Sequence, residues 1–170
     1  MSEYKRHKKS ETVLALCFAE SKETYHHWRV FSNGADGVRI EFEKENIISA
    51  FKNDLNIRTG NVEYKILKDV EKMKSIDVEK LPFLKRYPYF DEREFRIVYS
   101  DSRQAVEHKD YSIELAWIPR ITLSPWMSAS LVNSVRDTLK SIDGCAGLKI
   151  SRSTLVDNEN WKSLTARVAR

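Results

Sequence analysis

A chain of 170 residues, 41% hydrophobic and 11% aromatic, holds enough apolar material for one sizeable core, and 32% charged residues give it a wetted surface. No run approaches the ~18 apolar residues of a membrane span, and the N-terminal "MSEYKRHKKS" is not followed by the long apolar stretch and cleavage pattern of a secretory signal. The net charge of +4 is mild, and Cys17 and Cys145, both in predicted strands, suit a reduced, cytoplasmic protein with no membrane association.

In chain order, residues 1–11 read as a basic tail carrying Lys5, Arg6, Lys8 and Lys9. "TVLALCF" (12–18) reads as a buried strand, and Ser21 then caps a helix with Tyr25, Trp28 and Phe31 on one side. "SNGADG" (32–37) breaks that helix, since Gly34 and Gly37 can both take positive φ. "VRIEFE" alternates with Val38, Ile40 and Phe42 on one face. Ile47, Ile48, Phe51 and Leu55 mark an amphipathic helix.

A strand at Val62, Tyr64 and Ile66 precedes a helix over 67–81, with Val70, Met73 and Ile76 as its apolar positions. "REFRIVYS", "YSIELAW" and "RITLSP" read as three further strands. Leu131, Val135, Leu139 and Ile142 give the most regular helix, stopped at Gly144, and "CAGLKIS" closes the sheet. No Pro/Gly-rich linker intervenes, so residues 12–156 read as a single domain and 157–170 as a second tail, where Lys162, Arg167 and Arg170 extend the basic run of Lys149 and Arg152. Several adjacent strands late in the order predict an α+β domain, with a mixed, mostly antiparallel sheet flanked by helices. The expected core gathers Trp28, Phe31, Val38, Ile40, Phe42, Phe95, Ile97, Val135 and Leu139. Basic ends can add weak nucleic-acid affinity by releasing counterions, or be simply solvated.

The chain lacks a phosphate loop, a Gly-x-Gly-x-x-Gly turn, a Cys-x-x-Cys pair, a His-Glu-x-x-His helix and a Gly-x-Ser-x-Gly elbow. His26 and His27 are neighbours, which diverge by ~100° on a helix and cannot easily share a metal, so no metal is expected. Chemistry concentrates instead in "YPYFDEREFRIVYS" (87–100). Alternation sends Arg93, Phe95, Ile97 and Tyr99 to one face and Glu92, Glu94 and Arg96 to the other. Adjacent like charges repel unless a cation sits with them, and Arg96 can serve Glu94. Two readings stay open: an ion-pair ladder on a solvated face, or a carboxylate pair at a cleft, binding a sugar hydroxyl or polarising a nucleophile while Arg96 orients it. Tyr87, Tyr89 and Phe90 beside it can stack on a base or cover a core edge.

Two blocks carry a family resemblance. "CFAESKETYHHWRVFSNGADGVRIEFE" supplies Phe18, Glu20, Trp28, Phe31, Gly37, Val38 and Phe42, with Ala19 where Ser is usual. "KRYPYFDEREFRIVYS" supplies Lys85, Glu92, Glu94, Phe95 and Arg96. Together they resemble the bacterial family named domain of unknown function 2971, over roughly residues 12–100. Its Glu-x-Glu strand is similar to that of ADP-ribosyltransferases, in which a strand glutamate holds the nicotinamide ribose of NAD. The resemblance implies NAD as cofactor, Glu94 as catalytic residue with Glu92 and Arg96 as partners, and Glu20 with Tyr25 or Trp28 at the cofactor. It also implies a toxin or phage-defence setting with an antitoxin or other protein partner. Relatives begin with a further unit bearing a His-Tyr-Thr-like strand, whereas residues 1–11 alone precede the first predicted strand here. A shortened member of this kind is either a small nucleotide-using transferase, or a non-catalytic binding module or half of a split enzyme that needs a partner chain.

Overall fold

The computed structural model describes residues 2–169. In order, the elements are α1 (Ser2–Lys8), β1 (Thr12–Ala19), α2 (Tyr25–Phe31), β2 (Val38–Glu41), α3 (Lys44–Phe51), β3 (Ile57–Asn61), β4 (Glu63–Lys65) and α4 (Leu67–Glu71). Then come β5 (Leu84–Arg86), β6 (Glu94–Asp101), β7 (Arg120–Leu123), α5 (Ala129–Ser141), β8 (Ile150–Arg152) and α6 (Glu159–Val168). Helices and strands are mixed, and the β1/β6, β3/β6 and β2/β7 pairings are antiparallel while β4/β5 and β7/β8 are parallel. The architecture is therefore α+β and mostly antiparallel. Its strands divide among three sheets: β1-β6-β3, β2-β7-β8 and β4-β5.

The chain forms two compact units, residues 1–22 with 48–112, and 23–47 with 113–170. In the first, β6 is the central strand, and its burial on both faces explains its composition. Phe95, Ile97 and Tyr99 are buried on one side and Glu94 and Val98 on the other. β1 lies at the edge of this sheet, so Leu16 and Cys17 are exposed on a strand that reads from sequence as buried. Phe51 packs its ring 4.5 Å from that of Tyr111, whose hydroxyl donates to Asp54 Oδ2 at 2.7 Å. Tyr111 thus serves an aromatic and polar cluster, and the strand expected over "YSIELAW" is absent; Leu115–Trp117 form a 3-10 turn.

In the second unit β7 is central. Ile121, Leu123, Met127, Val132 and Ile150 form an apolar core, covered by Val135 and Leu139 of α5. Ser128 caps α5 by accepting from Leu131 N, and the helix ends at Ser141 with Gly144 at φ 78° beyond it. α2 is capped by Thr24, whose side chain accepts from His27 N, and not by Ser21. Only Trp28 of its apolar residues is buried; Tyr25 and Phe31 are exposed. Gly37 has ordinary φ, but a Cβ there would lie 2.3 Å from Ser32 Cβ, so close approach and not positive φ requires glycine. β2 is an edge strand and exposes Val38 and Ile40. The expected single core is thus distributed: Phe95 and Ile97 belong to the first unit, Trp28, Val135 and Leu139 to the second.

Four further expectations change for local reasons. The helix over 67–81 stops at Glu71, because Asp77 opens a separate 3-10 turn by accepting from Glu79 N, and Pro82 lies inside that turn. The basic N-terminal segment is no free tail: Tyr4 of α1 is buried and Lys8 Nζ donates to Glu79 Oε1 at 2.6 Å. The C-terminal segment forms α6, capped by Asn158, with Arg170 outside the described residues. Cys145 is buried in a turn ahead of β8, not within a strand. Among the described residues, no helix is long and apolar enough to cross a membrane.

Candidate functional site

The site forms where the chain enters β6. A 3-10 turn over Tyr87–Glu92 ends at Arg93, whose backbone sits in the left-handed region at φ 42°, ψ 57°. A residue with a Cβ adopts that conformation at a cost of about 1–2 kcal/mol. Arg93 N donates to Phe90 O at 3.1 Å, and Arg93 O accepts from Glu20 N at 2.9 Å, which pins the kink between the turn and the end of β1. Strand alternation therefore starts at Glu94, and the shared face expected for Glu92, Glu94 and Arg96 does not come from alternation. Arg93 is exposed, not turned toward the core with Phe95 and Ile97.

A lysine brings the two acids together instead. Lys85 of β5 donates from Nζ to Glu94 Oε1 at 2.6 Å and to Glu92 Oε2. Arg96 Nε donates to the other Glu94 oxygen, Oε2, at 2.6 Å, and Arg96 Nη1 donates to Pro82 O at 2.6 Å. Glu92 is 5% exposed and Glu94 8%, so the group is buried and not a ladder on a solvated face. Burial alone would raise the Glu94 carboxyl; a hydrogen bond shared with Glu92, the hydrogen bond from the Lys85 ammonium and the Arg96 guanidinium outweigh it and hold the group at about 2. Burial likewise opposes the Lys85 charge, but hydrogen bonds to Glu92 and Glu94 raise its pKa. Glu94 is ionised at neutral pH.

The backbone of Glu94 is fixed as firmly as its side chain. Its N–H donates to Tyr64 Oη at 2.9 Å, and its carbonyl accepts from Val62 N at 2.8 Å. Parallel pairing of β4 with β5 sets Tyr64 beside Lys85, so one short sheet supplies both the ring and the cation. Burial pushes the Tyr64 phenol up, keeping it neutral as an acceptor for that N–H. Tyr64 meets Phe90 edge-on with centroids 5.6 Å apart, and Phe90 stacks on Tyr87 at 5.6 Å. Tyr89 lies under Lys85 Nζ, 4.8 Å from its ring centroid.

These residues bound a cavity of about 280 Å³, lined by Glu20, Asn61, Val62, Tyr64, Phe90, Arg93 and Glu94. Glu20 Oε2 accepts from Asn61 Nδ2 at 2.6 Å at the exposed rim. The structure thus brings Glu20 and Glu94 to one cavity, with Glu92 and Arg96 behind Glu94. Tyr25 and Trp28 do not line it. Both belong to the second unit, where Trp28 is buried with Nε1 donating to Glu23 Oε2 at 3.0 Å, and Tyr25 meets the Trp126 ring at 5.8 Å. The cavity's rings are Tyr64 and Phe90. Phe90 was readable as an aromatic beside the acids; Tyr64 was readable only as a strand residue, and Arg93 had no signal, because a left-handed arginine leaves no mark in sequence. Among the described residues, no three His, Cys, Asp or Glu side chains gather as a metal site.

No family model, no curated protein and no solved structure matches this chain.

Proposed function

We propose that the protein is an ADP-ribosyltransferase-like protein that takes NAD or a related nucleotide at the Glu94 cavity. One observation carries the reading: a buried carboxylate, kept ionised, opens on a cavity walled by two aromatic rings and edged by hydrogen-bonding groups. Tyr64 and Phe90 suit a flat heteroaromatic ring. Glu20 and Asn61 suit ribose hydroxyls. When the bond between C1′ of the ribose and the nicotinamide nitrogen breaks, the electron pair leaves with the nitrogen and positive charge develops on the sugar. A fixed carboxylate steadies that charge, and an acceptor nucleophile then attacks C1′ and gives up its proton. The resemblance of the two sequence blocks to domain of unknown function 2971 supports the same reading, and a toxin or phage-defence setting is proposed with it.

A specific observation favours a second reading, a non-catalytic binding module or half of a split enzyme. Both Glu94 oxygens are already engaged, Oε1 by Lys85 and Oε2 by Arg96, and two cations beside a carboxylate weaken its pull on a cationic centre. Transfer of labelled ADP-ribose from NAD in cell extract separates the two. The transferase reading expects label with wild type and none with Glu94→Gln. No label with wild type, with candidate partner chains added, leaves the binding module. Glu94→Gln is not a stability-neutral change, because a neutral amide leaves Arg96 and Lys85 undercompensated; about 1–3 kcal/mol of destabilisation is expected.

A further inference from the structure

We propose that Arg93 is the anion-binding residue of this cavity, and that the ligand is of the nucleoside monophosphate class: one aromatic ring, one sugar and one phosphate. The assignment rests on the nucleotide reading of the same cavity and adds which part of a nucleotide enters it. Arg93 occupies a left-handed backbone position that glycine or asparagine fills without comparable strain. Strained positions of this kind cluster at ligand sites, where the surrounding structure holds them. Here both backbone groups of Arg93 are held, by Phe90 O and by Glu20 N. The guanidinium carbon lies 5.9 Å from the Phe90 ring centroid, and Arg93 and Phe90 both line the cavity.

Charge points the same way. Arg93 is the one cation among the described residues lining the cavity. The Glu94 carboxylate is offset by Lys85 and Arg96; Glu20, whose carboxylate accepts from the Asn61 amide, keeps its charge at the exposed rim. A planar guanidinium forks onto two phosphate oxygens, which a ring bound at Phe90 would bring within reach. Size sets the rest of the class. A cavity of about 280 Å³ sits just under the roughly 300–1,000 Å³ of sites for drug-sized ligands. It has room for a ring with its sugar, and the second half of a dinucleotide would lie outside it.

Calorimetric titration of the full chain with nicotinamide riboside, nicotinamide mononucleotide and NAD tests this. Wild type should bind the mononucleotide about ten- to a hundredfold tighter than the riboside, the range of a charge-assisted hydrogen bond, and NAD no tighter than the mononucleotide. Arg93→Gly should bring the riboside and mononucleotide level without lowering the unfolding temperature, since it removes the guanidinium and relieves the backbone. Arg93→Asn, which also tolerates left-handed backbone, is the second variant should glycine loosen the turn. Equal binding of riboside and mononucleotide by wild type overturns the role of Arg93 and leaves the nucleotide reading standing. NAD binding more than tenfold tighter than the mononucleotide overturns the size class. No binding of any of the three removes the nucleotide reading and this inference with it. Unfolding at lower temperature in both variants overturns the assignment in favour of packing on Phe90.

Discussion

Two lysines in this protein are each clamped between two carboxylates, one in each unit. Lys85 bridges Glu92 and Glu94 in the first unit, and Lys162 bridges Asp157 and Glu159 in the second. The chemistry is the same and the surroundings are opposite. The Glu92 and Glu94 side chains are 6% and 10% exposed, those of Asp157 and Glu159 51% and 81%. In the first case water is excluded, so each charge depends on its partners; in the second, water solvates whatever the partners do not. The second unit also shows that a three-stranded sheet here needs no buried ions, since its core is Ile121, Leu123, Met127, Val132 and Ile150. The buried cluster beside β6 is therefore a property of the site and not of the architecture.

Removing the cation from the buried clamp is the severest test of that contrast. Lys85→Ala leaves Glu92 without its ammonium and Glu94 with Arg96 alone, and stability should fall by about 3–5 kcal/mol in urea unfolding. A loss under 1 kcal/mol would mean that water reaches the two carboxylates after all. The apolar counterpart is Leu123→Ala in the second unit, 2% exposed within the core cluster, where a loss of about 2–5 kcal/mol is expected by the same measurement.

What was legible in advance follows the same divide between periodic and non-periodic causes. β6 could be read because Phe95, Ile97 and Tyr99 alternate, and α5 because Val135 and Leu139 recur at helical spacing. Glu94 stood out as an acid on a strand. The division of strands among three sheets left no trace, since edge strands such as β1 and β2 carry apolar residues as freely as central ones. Nor did the grouping of Glu92 with Glu94, which needs Lys85 from another strand and a left-handed Arg93. Alternation suggested the right neighbours through the wrong geometry. Tyr64 reached the cavity by parallel pairing of two three-residue strands, a pairing that short segments do not announce.

Acid separates the units without mutation. The Glu94 carboxyl is held at about 2 against an ordinary 4.5, so its ionised state is favoured by the fold. The stabilisation is fully present above about pH 4.5 and is lost as pH falls toward about 2. Asp54 and Asp101, also in the first unit, are lowered in the same direction, Asp54 against burial by hydrogen bonds from Lys109 and Tyr111, Asp101 by Arg103 N–H and the Tyr99 hydroxyl. All four tryptophans, Trp28, Trp117, Trp126 and Trp161, fall in the second unit. Far-UV circular dichroism should therefore begin to change at a higher pH than tryptophan fluorescence. Coincident transitions would show that the two units unfold together and that the Glu94 cluster does not set a separate acid limit.

The exposed clamp should give the smallest effect. Lys162 donates to Glu159 Oε1 at 2.8 Å and to Asp157, and both contacts raise its pKa, so by geometry alone it resembles Lys85. Yet its side chain is 57% exposed, and α6 buries no residue that depends on it. Ammonium and carboxylates are solvated before and after the contact forms, and holding a long side chain in one rotamer offsets the Coulomb gain. Lys162→Ala should leave the thermal midpoint unchanged within error, at low and at high salt. A clear loss that fades with added salt would mean that this surface clamp contributes to the stability of α6, and that burial is not what distinguishes the two lysines.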